Sequence, residues 1–179
     1  MRKSIEKALY SLGINISFYD IAKELNFLEQ NLPSAFKSRD IVDIGCGDGV
    51  VTLKLKKILQ PNSMKGIDSS KRLVYSALRK DINAEIFDIE NQEIKGDLGI
   101  LWGVLHHFSD PEATVRKIKN SFRSLIIREP IDEKRIFELG TRMNKEKLLN
   151  LLARSGIDLK KCKIFELAET KGLIIFIES

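Results

Sequence analysis

The feature that most constrains this chain is a glycine-spaced turn between a short apolar run and an amphipathic pattern. Residues 41–49 read Ile-Val-Asp-Ile-Gly-Cys-Gly-Asp-Gly, and apolar residues then recur at helical spacing among lysines up to Leu59. An apolar run, a glycine turn and an amphipathic segment in that order predict a strand, a tight turn and a helix. The turn would direct the free N–H groups of the helix N-terminus at whatever lies above the strand.

The glycines of this turn fall at alternate positions, Gly45, Gly47 and Gly49. A dinucleotide-binding loop has the spacing G-x-G-x-x-G instead, which brings the start of a helix close to a pyrophosphate. Here acidic Asp43 and Asp48 accompany the glycines, and carboxylates repel a pyrophosphate but suit a ligand with an ammonium or sulfonium group. The loop by itself also fits an ordinary strand–helix turn that needs glycine for its geometry.

Strands and helices alternate in the pattern of the remaining chain. The predicted strands are 40–44, 64–68, 84–87, 97–102, 125–127, 161–167 and 172–178. Mostly apolar strands that alternate with helices predict a parallel sheet covered on both faces, and the short join before Gly172 predicts an antiparallel hairpin at the C-terminal end. The expected fold class is therefore α/β, a Rossmann-like, mostly parallel sheet with an antiparallel C-terminal hairpin strand and helices on both faces.

The chain is expected to form one structural unit with two parts. Residues 1–37 have helical patterns that end near Pro33 and are predicted to form an N-terminal helical cap or lid, and residues 38–179 form the main domain. The absence of a membrane-length apolar run and of a signal-peptide pattern favours a cytoplasmic protein. Cys46 and Cys162 lack metal-ligand spacing. The net charge of +5 reflects solvated helix faces or, alternatively, an RNA-binding surface.

Polar or special residues mark the carboxyl ends of five successive predicted strands. They are Asp43 to Gly49, Asp68, Asp88, Trp102 to His107 and Glu129. In open α/β sheets, ligands bind outside the carboxyl ends of the strands, so these residues are expected to lie around one site.

Two of these carboxylates indicate a nucleoside. Asp68 follows the glycine loop by about 20 residues, the spacing expected of a carboxylate that accepts the hydroxyls of a ribose, although it also fits a helix N-cap. Asp88 lies between Phe87 and Ile89, where it can accept from an exocyclic amine while its neighbours enclose a flat base, or serve as a turn aspartate. Together with Asp43, they indicate an adenosine that carries an amino acid.

At this point the chain resembles a known family, the class I S-adenosylmethionine-dependent methyltransferases, and in particular the broad small-molecule group called type 11. The resemblance covers residues 15–179. The matching segments are 42–49, Gly66 to Asp68, Phe87-Asp88, Asp97 to Phe108, Ser155 to Ile157 and the C-terminal hairpin. The chain departs from the group before the fifth strand, where Ser121-Phe122-Arg123-Ser124 replaces a Pro-Gly-Gly type turn.

The resemblance implies S-adenosylmethionine as cofactor, S-adenosylhomocysteine as product, and a set of residues that bind them. The methionine part would lie against Asp43, Gly45 and Gly47 of the loop that includes Cys46. The ribose would lie at Asp68, the adenine near Ser69, Asp88 and Ile89, and the backbone of Trp102 and Gly103 would face the sulfonium. No metal is implied.

Two residues are candidates for catalysis, His107 and Glu129. His106 and His107 are the only histidines of the chain, and they follow the fourth predicted strand, where one of them could act as a base or orient an acceptor. The pair could equally stabilise the strand–helix junction. Glu129 stands at the next strand end and could instead pair with Arg128 or a lysine.

The expected function is methyl transfer to an unidentified small-molecule acceptor. The motifs of adenine-N6 and cytosine-C5 methyltransferases are absent, since Leu101-Trp102-Gly103-Val104 stands at the end of the fourth strand and no Pro-Cys pair occurs. The alternatives are an RNA or protein methyltransferase that acts with a partner, and a non-catalytic subunit that binds S-adenosylmethionine. A nicotinamide-dependent dehydrogenase is disfavoured by the glycine spacing.

Overall fold

The computed structural model describes residues 21–131 and 143–178. Within these ranges the chain forms one sheet, flanking helices and three short 3-10 turns. The strands are β1 (Asp40–Ile44), β2 (Ser63–Asp68), β3 (Ala84–Ile86), β4 (Gly96–Trp102), β5 (Phe122–Pro130), β6 (Lys163–Leu167) and β7 (Gly172–Glu178). The helices are α1 (residues 21–31), α2 (Val50–Leu59), α3 (Lys71–Leu78), α4 (Pro111–Ser121) and α5 (Lys145–Arg154). The 3-10 turns are Ser34–Phe36, Leu105–His107 and Leu159–Lys161.

The strands form a sheet in the order β3-β2-β1-β4-β5-β7-β6. The first five pair in parallel, whereas β7 is antiparallel to both β5 and β6. The predicted fold class, including the antiparallel hairpin, is therefore confirmed. Since β1 pairs with β2 on one side and β4 on the other, the direction of winding reverses at β1, which opens a crevice at its carboxyl end.

The central strands are buried on both faces because successive side chains point to opposite sides of the sheet. Leu101 and Ile127 are register partners and belong to one apolar cluster, with α4 and α5 residues such as Ile118 and Leu148. Their neighbours Ile100 and Ile126 are also partners, but they belong to the cluster on the other face. The continuous apolar runs predicted as strands thus fill two cores.

The described part of the N-terminal segment packs into the second core. Leu25 and Leu28 of α1 and Phe36 of the following 3-10 turn are buried with sheet residues. The other part of the predicted cap or lid, residues 1–20, lies outside the described residues.

One element differs clearly from its predicted bounds. The fifth strand was expected at 125–127, but β5 begins at Phe122, directly after α4 ends at Ser121. Phe122 already has extended dihedral angles, and its N–H still donates to Ile118 O. The helix therefore passes into the strand without a turn, which is why no glycine or proline marks the junction.

No helix within residues 21–131 and 143–178 combines the length and the apolar character that a membrane span requires.

Candidate functional site

A cavity of about 410 Å³ opens at the carboxyl ends of β1, β2 and β4. Its volume falls in the range of about 300–1,000 Å³ that is usual for small-molecule sites. The lining residues are Ile44, Gly45, Gly47, Ile67, Asp68, Ser69, Leu73, Phe87, Asp88, Ile89, Glu90, Gly103, Val104, His107 and Phe108. Seven of the ten residues predicted to bind cofactor are among them, and Asp43, Cys46 and Trp102 are not.

The glycine loop shapes one wall of the cavity. Gly45 has a φ of +74°, and a Cβ there would stand 2.4 Å from Cγ2 of Val104. Gly47 has a φ of +57°, but a Cβ there would have no heavy atom within 4 Å. The loop is therefore closely packed at Gly45 and leaves open space at Gly47, which lines the cavity.

Asp68 is held rigidly at the cavity by two backbone groups. The N–H of Gly47 donates to Oδ2 at 3.0 Å, and the N–H of Ser70 donates to Oδ1 at 2.8 Å. The first bond joins the glycine loop to β2, and the second starts α3. Each carboxylate oxygen has a second lone pair, so Asp68 can still accept from two hydroxyls of a ligand.

Asp43 lies behind the loop rather than at the cavity surface. Its side chain is buried and accepts a hydrogen bond of 2.5 Å from the hydroxyl of Thr52 in α2. Burial raises the pKa of Asp43 to about 6, the Thr52 hydrogen bond opposes this shift, and the nearby charge of Asp68 adds to it. A carboxylate in this position can act on a ligand through its electrostatic field. Through Thr52 it also holds α2 against β1.

The two other acidic or polar residues of the loop point away from the cavity. Asp48 forms an ion pair of 2.9 Å with Lys80 and also accepts from the N–H of Val50 at 3.3 Å. Its carboxylate is thus neutralised locally and is not the cation-attracting group expected from the sequence. Cys46 is buried under the loop, and its pKa is raised to about 12, mainly by burial and then by the charge of Asp43.

Apolar side chains from the loop after β3 enclose the far end of the cavity. Phe87 and Ile89 line it together with Leu73 of α3. Asp88 lies between them, and its carboxylate accepts from the N–H of Glu90 at 3.0 Å and from the amide of Asn91 at 2.8 Å. These hydrogen bonds, led by that of Asn91, lower the pKa of Asp88. The turn-aspartate interpretation therefore has direct support, and Asp88 also lines the cavity.

Glu90 ties this loop to the segment that precedes α4. Its Oε1 accepts from the N–H and the hydroxyl of Ser109 at 2.9 and 2.6 Å. Lys117 of α4 donates to the carbonyl of Glu90 at 2.9 Å. The sequence pattern did not single out Glu90, because its partners stand about 20 residues later in the chain.

Gly103 and Trp102 at the end of β4 take different positions. Gly103 lines the cavity, and its N–H donates to Arg128 O at 2.7 Å, which extends the ladder between β4 and β5. Trp102 instead packs against the apolar cluster on the α1 side of the sheet. Its indole N–H is buried with no hydrogen-bond partner among the described residues.

The two histidines lie on the 3-10 turn that follows β4. His107 is exposed and lines the cavity, while the His106 ring faces β5 and contacts Glu129 through Nδ1. The centroids of the two imidazole rings are 4.0 Å apart. Glu129 is 0% exposed and does not line the cavity.

Sequence reasoning missed most of the apolar lining. The residues not singled out are Ile44, Ile67, Leu73, Val104 and Phe108, together with Glu90, whereas Phe87 was expected beside a base and does line the cavity. Ile44 and Ile67 are the last apolar residues of their strands, so the rule that ligands bind at strand ends would have found them. Leu73, Val104 and Phe108 depend on how α3 and the 3-10 turn pack, and the sequence carries no equivalent signal for them.

Comparison with known proteins gives a consistent result. A family model described as a methyltransferase domain matches residues 16–135. A tRNA U34 carboxymethyltransferase of Campylobacter fetus is 31% identical over 94 residues, which are 48% of this chain and 33% of that protein. The chain thus spans about a third of the length of this relative.

Solved structures share the fold. An S-adenosylmethionine-dependent methyltransferase from Mesorhizobium loti has a TM-score of 0.67 and 16% identity, with 86% of this chain and 96% of that chain covered. The magnesium protoporphyrin IX methyltransferase of Synechocystis, solved with bound S-adenosylmethionine, has a TM-score of 0.64 and 16% identity, with 89% of this chain and 78% of that chain covered. At such identities the likeness is one of fold.

Proposed function

The chain belongs to the methyltransferase-domain family, and on that premise we propose that it transfers the methyl group of S-adenosylmethionine to a small-molecule acceptor. The resemblance to class I S-adenosylmethionine-dependent methyltransferases is confirmed by this family and fold, with S-adenosylmethionine as the cofactor they support. The acceptor and the residues that act on it belong to the proposal.

The observation that carries the proposal is the fit of the cavity to an adenosine with a charged tail. Asp68 supplies a fixed carboxylate for hydroxyl groups, and Phe87 and Ile89 offer apolar surfaces beside Asp88 for a base. The open space at Gly47 admits a chain that passes the loop, where the negative field of Asp43 favours an ammonium or sulfonium. Ser69 and Gly103 complete the proposed lining.

Methyl transfer requires mainly that the protein position the two reactants. When bound, the sulfonium supplies an already activated methyl group for in-line displacement. The residues of this chain hold the reactants in line and exclude water, which supplies most of the catalysis of such a reaction. His107 is placed to contact an acceptor because it lines the cavity next to Gly103 and Val104. Glu129 is too deeply buried to reach an acceptor itself.

A small-molecule acceptor is supported by the residues at the carboxyl end of β4. Leu101-Trp102-Gly103-Val104 stands where adenine-N6 methyltransferases have an Asn-Pro-Pro-Tyr type motif. An RNA acceptor is the second candidate, because the Campylobacter fetus relative acts on a tRNA by its name and the net charge of this chain is +5. If RNA is the acceptor, tRNA binding should weaken steeply as salt rises, since phosphate contacts release counterions.

The proposal is tested by calorimetric titration with S-adenosylmethionine. We expect binding by the wild type and a loss of about 10- to 100-fold for Asp68→Asn, because hydrogen bonds to a charged group contribute about 1.5–3 kcal/mol. The matched control is Asp48→Asn, which changes an acidic residue of the same region that lies away from the cavity. No binding by the wild type, or equal affinities for the two variants, would contradict the proposal.

The acceptor class is tested with labelled methyl donor. A protein-free small-molecule extract of bacterial cells and a deproteinised tRNA preparation are each incubated with the donor, with and without the protein. Label in the small-molecule fraction supports the proposal. Label only in tRNA contradicts it and supports an RNA acceptor instead. Cofactor binding without transfer to either preparation would favour the non-catalytic subunit.

A further inference from the structure

Within residues 21–131 and 143–178, four buried side-chain polar atoms have no hydrogen-bond partner, and they belong to neighbouring parts of the fold. They are Oε2 of Glu24, Nε1 of Trp102, Nε of Arg128 and Oγ1 of Thr170, and these four residues are called the polar cluster below. Glu24 lies on α1, Trp102 and Arg128 lie near the carboxyl ends of β4 and β5, and Thr170 precedes β7. Buried polar groups are nearly always hydrogen-bonded in proteins, so four exceptions in one region require an explanation.

The geometry of the sheet brings these side chains together. Trp102 and Arg128 are register partners on adjacent strands, so their side chains point to the same face, which is the face that α1 covers. A Cβ on Gly172, two residues after Thr170, would stand 3.1 Å from Oε1 of Glu24 and 3.7 Å from Nε of Arg128. The helix, the two strand ends and the hairpin turn therefore meet at one place.

The ion pair inside the polar cluster is only half formed. The Nε–H and Nη2–H groups of a guanidinium point in the same direction and frequently bind both oxygens of one carboxylate. Here Nη2 of Arg128 donates to Oε1 of Glu24 at 2.6 Å, whereas Nε and Oε2 have no partner among the described residues. A group that joins these two atoms has to accept from Nε–H and donate to Oε2 at the same time.

The charges of the pair restrict the chemistry of that group. Glu24 is 0% exposed, the side chain of Arg128 is 10% exposed, and their charges cancel. A carboxylate or an ammonium would leave a net charge in this buried site, which is costly. A carboxylate also only accepts and an ammonium only donates, whereas a hydroxyl or a carboxamide is neutral and does both.

The polar cluster adjoins the cofactor cavity through Gly103. This glycine lines the cavity, and a Cβ on it would stand 3.1 Å from Nη1 of Arg128. In the proposed function, the backbone of Gly103 faces the sulfonium. A molecule bound at Arg128 therefore has its other end close to the methyl group that is transferred.

We propose that the polar cluster binds the methyl acceptor and selects an acceptor with a neutral carboxamide or hydroxyl group. This inference rests on the proposed function and names the class of its substrate. The group accepts from Nε of Arg128 and donates to Oε2 of Glu24, while the indole N–H of Trp102 and the hydroxyl of Thr170 supply further hydrogen bonds. A site of this kind rejects an analogue that lacks the group, because its own buried polar atoms then stay unpaired.

A substitution at Thr170 separates acceptor binding from folding. Thr170→Val replaces a buried hydroxyl that has no partner among the described residues by a methyl group of the same shape, so its Tm should equal or exceed that of the wild type. Thr114→Val is the matched control, because the hydroxyl of Thr114 donates to Asp110 O at 2.7 Å in α4, away from the polar cluster. The control should lose about 2–4 °C in Tm.

Methyl transfer should respond in the opposite way. With labelled methyl donor and a diluted small-molecule extract, Thr170→Val and Trp102→Phe should transfer label about 2- to 10-fold more slowly than the wild type, the effect of losing one hydrogen bond. The difference should shrink in concentrated extract, because these variants weaken acceptor binding. Thr114→Val should transfer at the rate of the wild type. A labelled product whose polar groups are all ionised would overturn the inference.

Trp102 also gives a direct readout, because it is the only tryptophan of the chain. A nitrogen-15 spectrum of the full chain, saturated with S-adenosylhomocysteine, contains one indole N–H signal, whose proton resonance moves downfield when the group donates a hydrogen bond. Acetamide, acetate and ethylammonium serve as probes that differ in charge. We expect a downfield shift with acetamide and much smaller shifts with the two ions. No shift with acetamide, or an equal shift with acetate, would overturn the inference.

Cofactor affinity distinguishes this inference from the proposed function. S-adenosylmethionine affinity of Thr170→Val and Trp102→Phe should stay within about threefold of the wild type, a change of less than about 1 kcal/mol. Unchanged transfer by both variants would refute the role of the polar cluster and leave the methyltransferase proposal intact. Absence of cofactor binding by the wild type would instead refute the proposed function.

Discussion

Gly45 and Gly47 stand two residues apart in one loop, but their surroundings require glycine for different reasons. Both have positive φ angles, which add about 1–2 kcal/mol of strain for any other residue. At Gly45 a side chain would also collide with Val104, whereas at Gly47, which lines the cavity, its Cβ would have no heavy atom within 4 Å. The first glycine thus serves packing and the second serves ligand access.

Alanine at these two positions should therefore give different results. Gly45→Ala should lower the free energy of unfolding by about 2–5 kcal/mol, because strain and overpacking add. Gly47→Ala should lower it by about 1–2 kcal/mol, from strain alone, but should weaken S-adenosylmethionine binding strongly. Urea unfolding and calorimetric titration of both variants measure this. Equal losses of stability would show that the contact with Val104 is readily relieved.

Asp43 should make stability depend on pH in an unusual direction. Its pKa is raised from 3.8 to about 6 in the folded protein, mainly by burial, so the folded state binds a proton more tightly than the unfolded state. Its contribution to stability is fully present below about pH 4 and is lost as the pH rises through 6. A shift of about two pKa units corresponds to about 3 kcal/mol.

The comparison of the wild type with Asp43→Asn isolates this contribution. Asparagine keeps an oxygen that accepts from Thr52 but does not titrate, so the variant should gain stability relative to the wild type between pH 4 and 7. Denaturant unfolding at several pH values gives the difference. A difference in unfolding free energy that stays constant with pH would show that Asp43 is not the titrating group.

Individual site residues differ in how far the sequence could reveal them. Asp68 follows from its distance to the glycine loop, since that distance reflects one helix and one strand. Asp48 was expected to attract a cation, but it pairs with Lys80, which stands 32 residues later, just beyond the C-terminal end of α3. That contact depends on how α3 docks beside the loop, and no local pattern encodes it.

At the scale of elements, the contact between α1 and β5 includes a buried ion pair. Arg128 donates to Oε1 of Glu24 at 2.6 Å, and the two side chains are 10% and 0% exposed. Glu24 Oε2 and Arg128 Nε have no hydrogen-bond partner among the described residues. The pair fixes where α1 lies on the sheet, directly behind Gly103, since a Cβ on that glycine would stand 3.1 Å from Nη1 of Arg128.

Breaking this pair on one side should be more harmful than replacing both partners. Arg128→Met leaves a buried carboxylate without a counter-charge and should destabilise the protein by about 3–5 kcal/mol. The double variant Glu24→Leu with Arg128→Met should recover most of that loss, because neither charge then remains buried. A double-mutant cycle, which compares the unfolding free energies of the wild type, the two single variants and the double variant, measures the interaction between the two side chains. Additive losses would mean that the two side chains do not interact energetically.

The junction between α4 and β5 shows why element boundaries are harder to predict than elements. The apolar run at 125–127 marks the centre of the strand, which is buried on both faces. The first residues of β5 include exposed Arg123, and their extended form depends on pairing with β4 and β7. Hydrogen bonds to neighbouring strands thus lengthen β5 beyond what its own composition indicates.

At the scale of the whole molecule, ligand binding and folding should be linked. A ligand that binds only the folded state stabilises it by about 2.7 kcal/mol when present at about 100 times its Kd. For a chain of this size, that corresponds to a rise in Tm of about 5–11 °C. S-adenosylhomocysteine should therefore raise the Tm of the wild type and have much less effect on Asp68→Asn. Thermal scans with and without the ligand test this, and equal shifts for both proteins would contradict it.

The sheet could be anticipated from the sequence because its order follows from local patterns. Seven apolar runs, joined by helices, by one loop between β3 and β4 and by one short hairpin, leave few arrangements of a mostly parallel sheet. The cavity wall was less predictable, since it combines the segments after β1, β2, β3 and β4 with one helix. Trp102 illustrates the difficulty, because it adjoins Gly103 in sequence and yet packs on the opposite face of the sheet.

The reactivity of the Cys46 thiol offers a way to measure how often the glycine loop opens transiently. It stands beneath the glycine turn, where a Cβ on Gly66 would meet its sulfur at 2.7 Å, and a pKa near 12 leaves almost no thiolate at neutral pH. An alkylating reagent can modify it only during brief excursions that lift the turn from β2. The rate of thiol modification would report how often the turn opens, and a ligand that holds the turn closed would lower that rate.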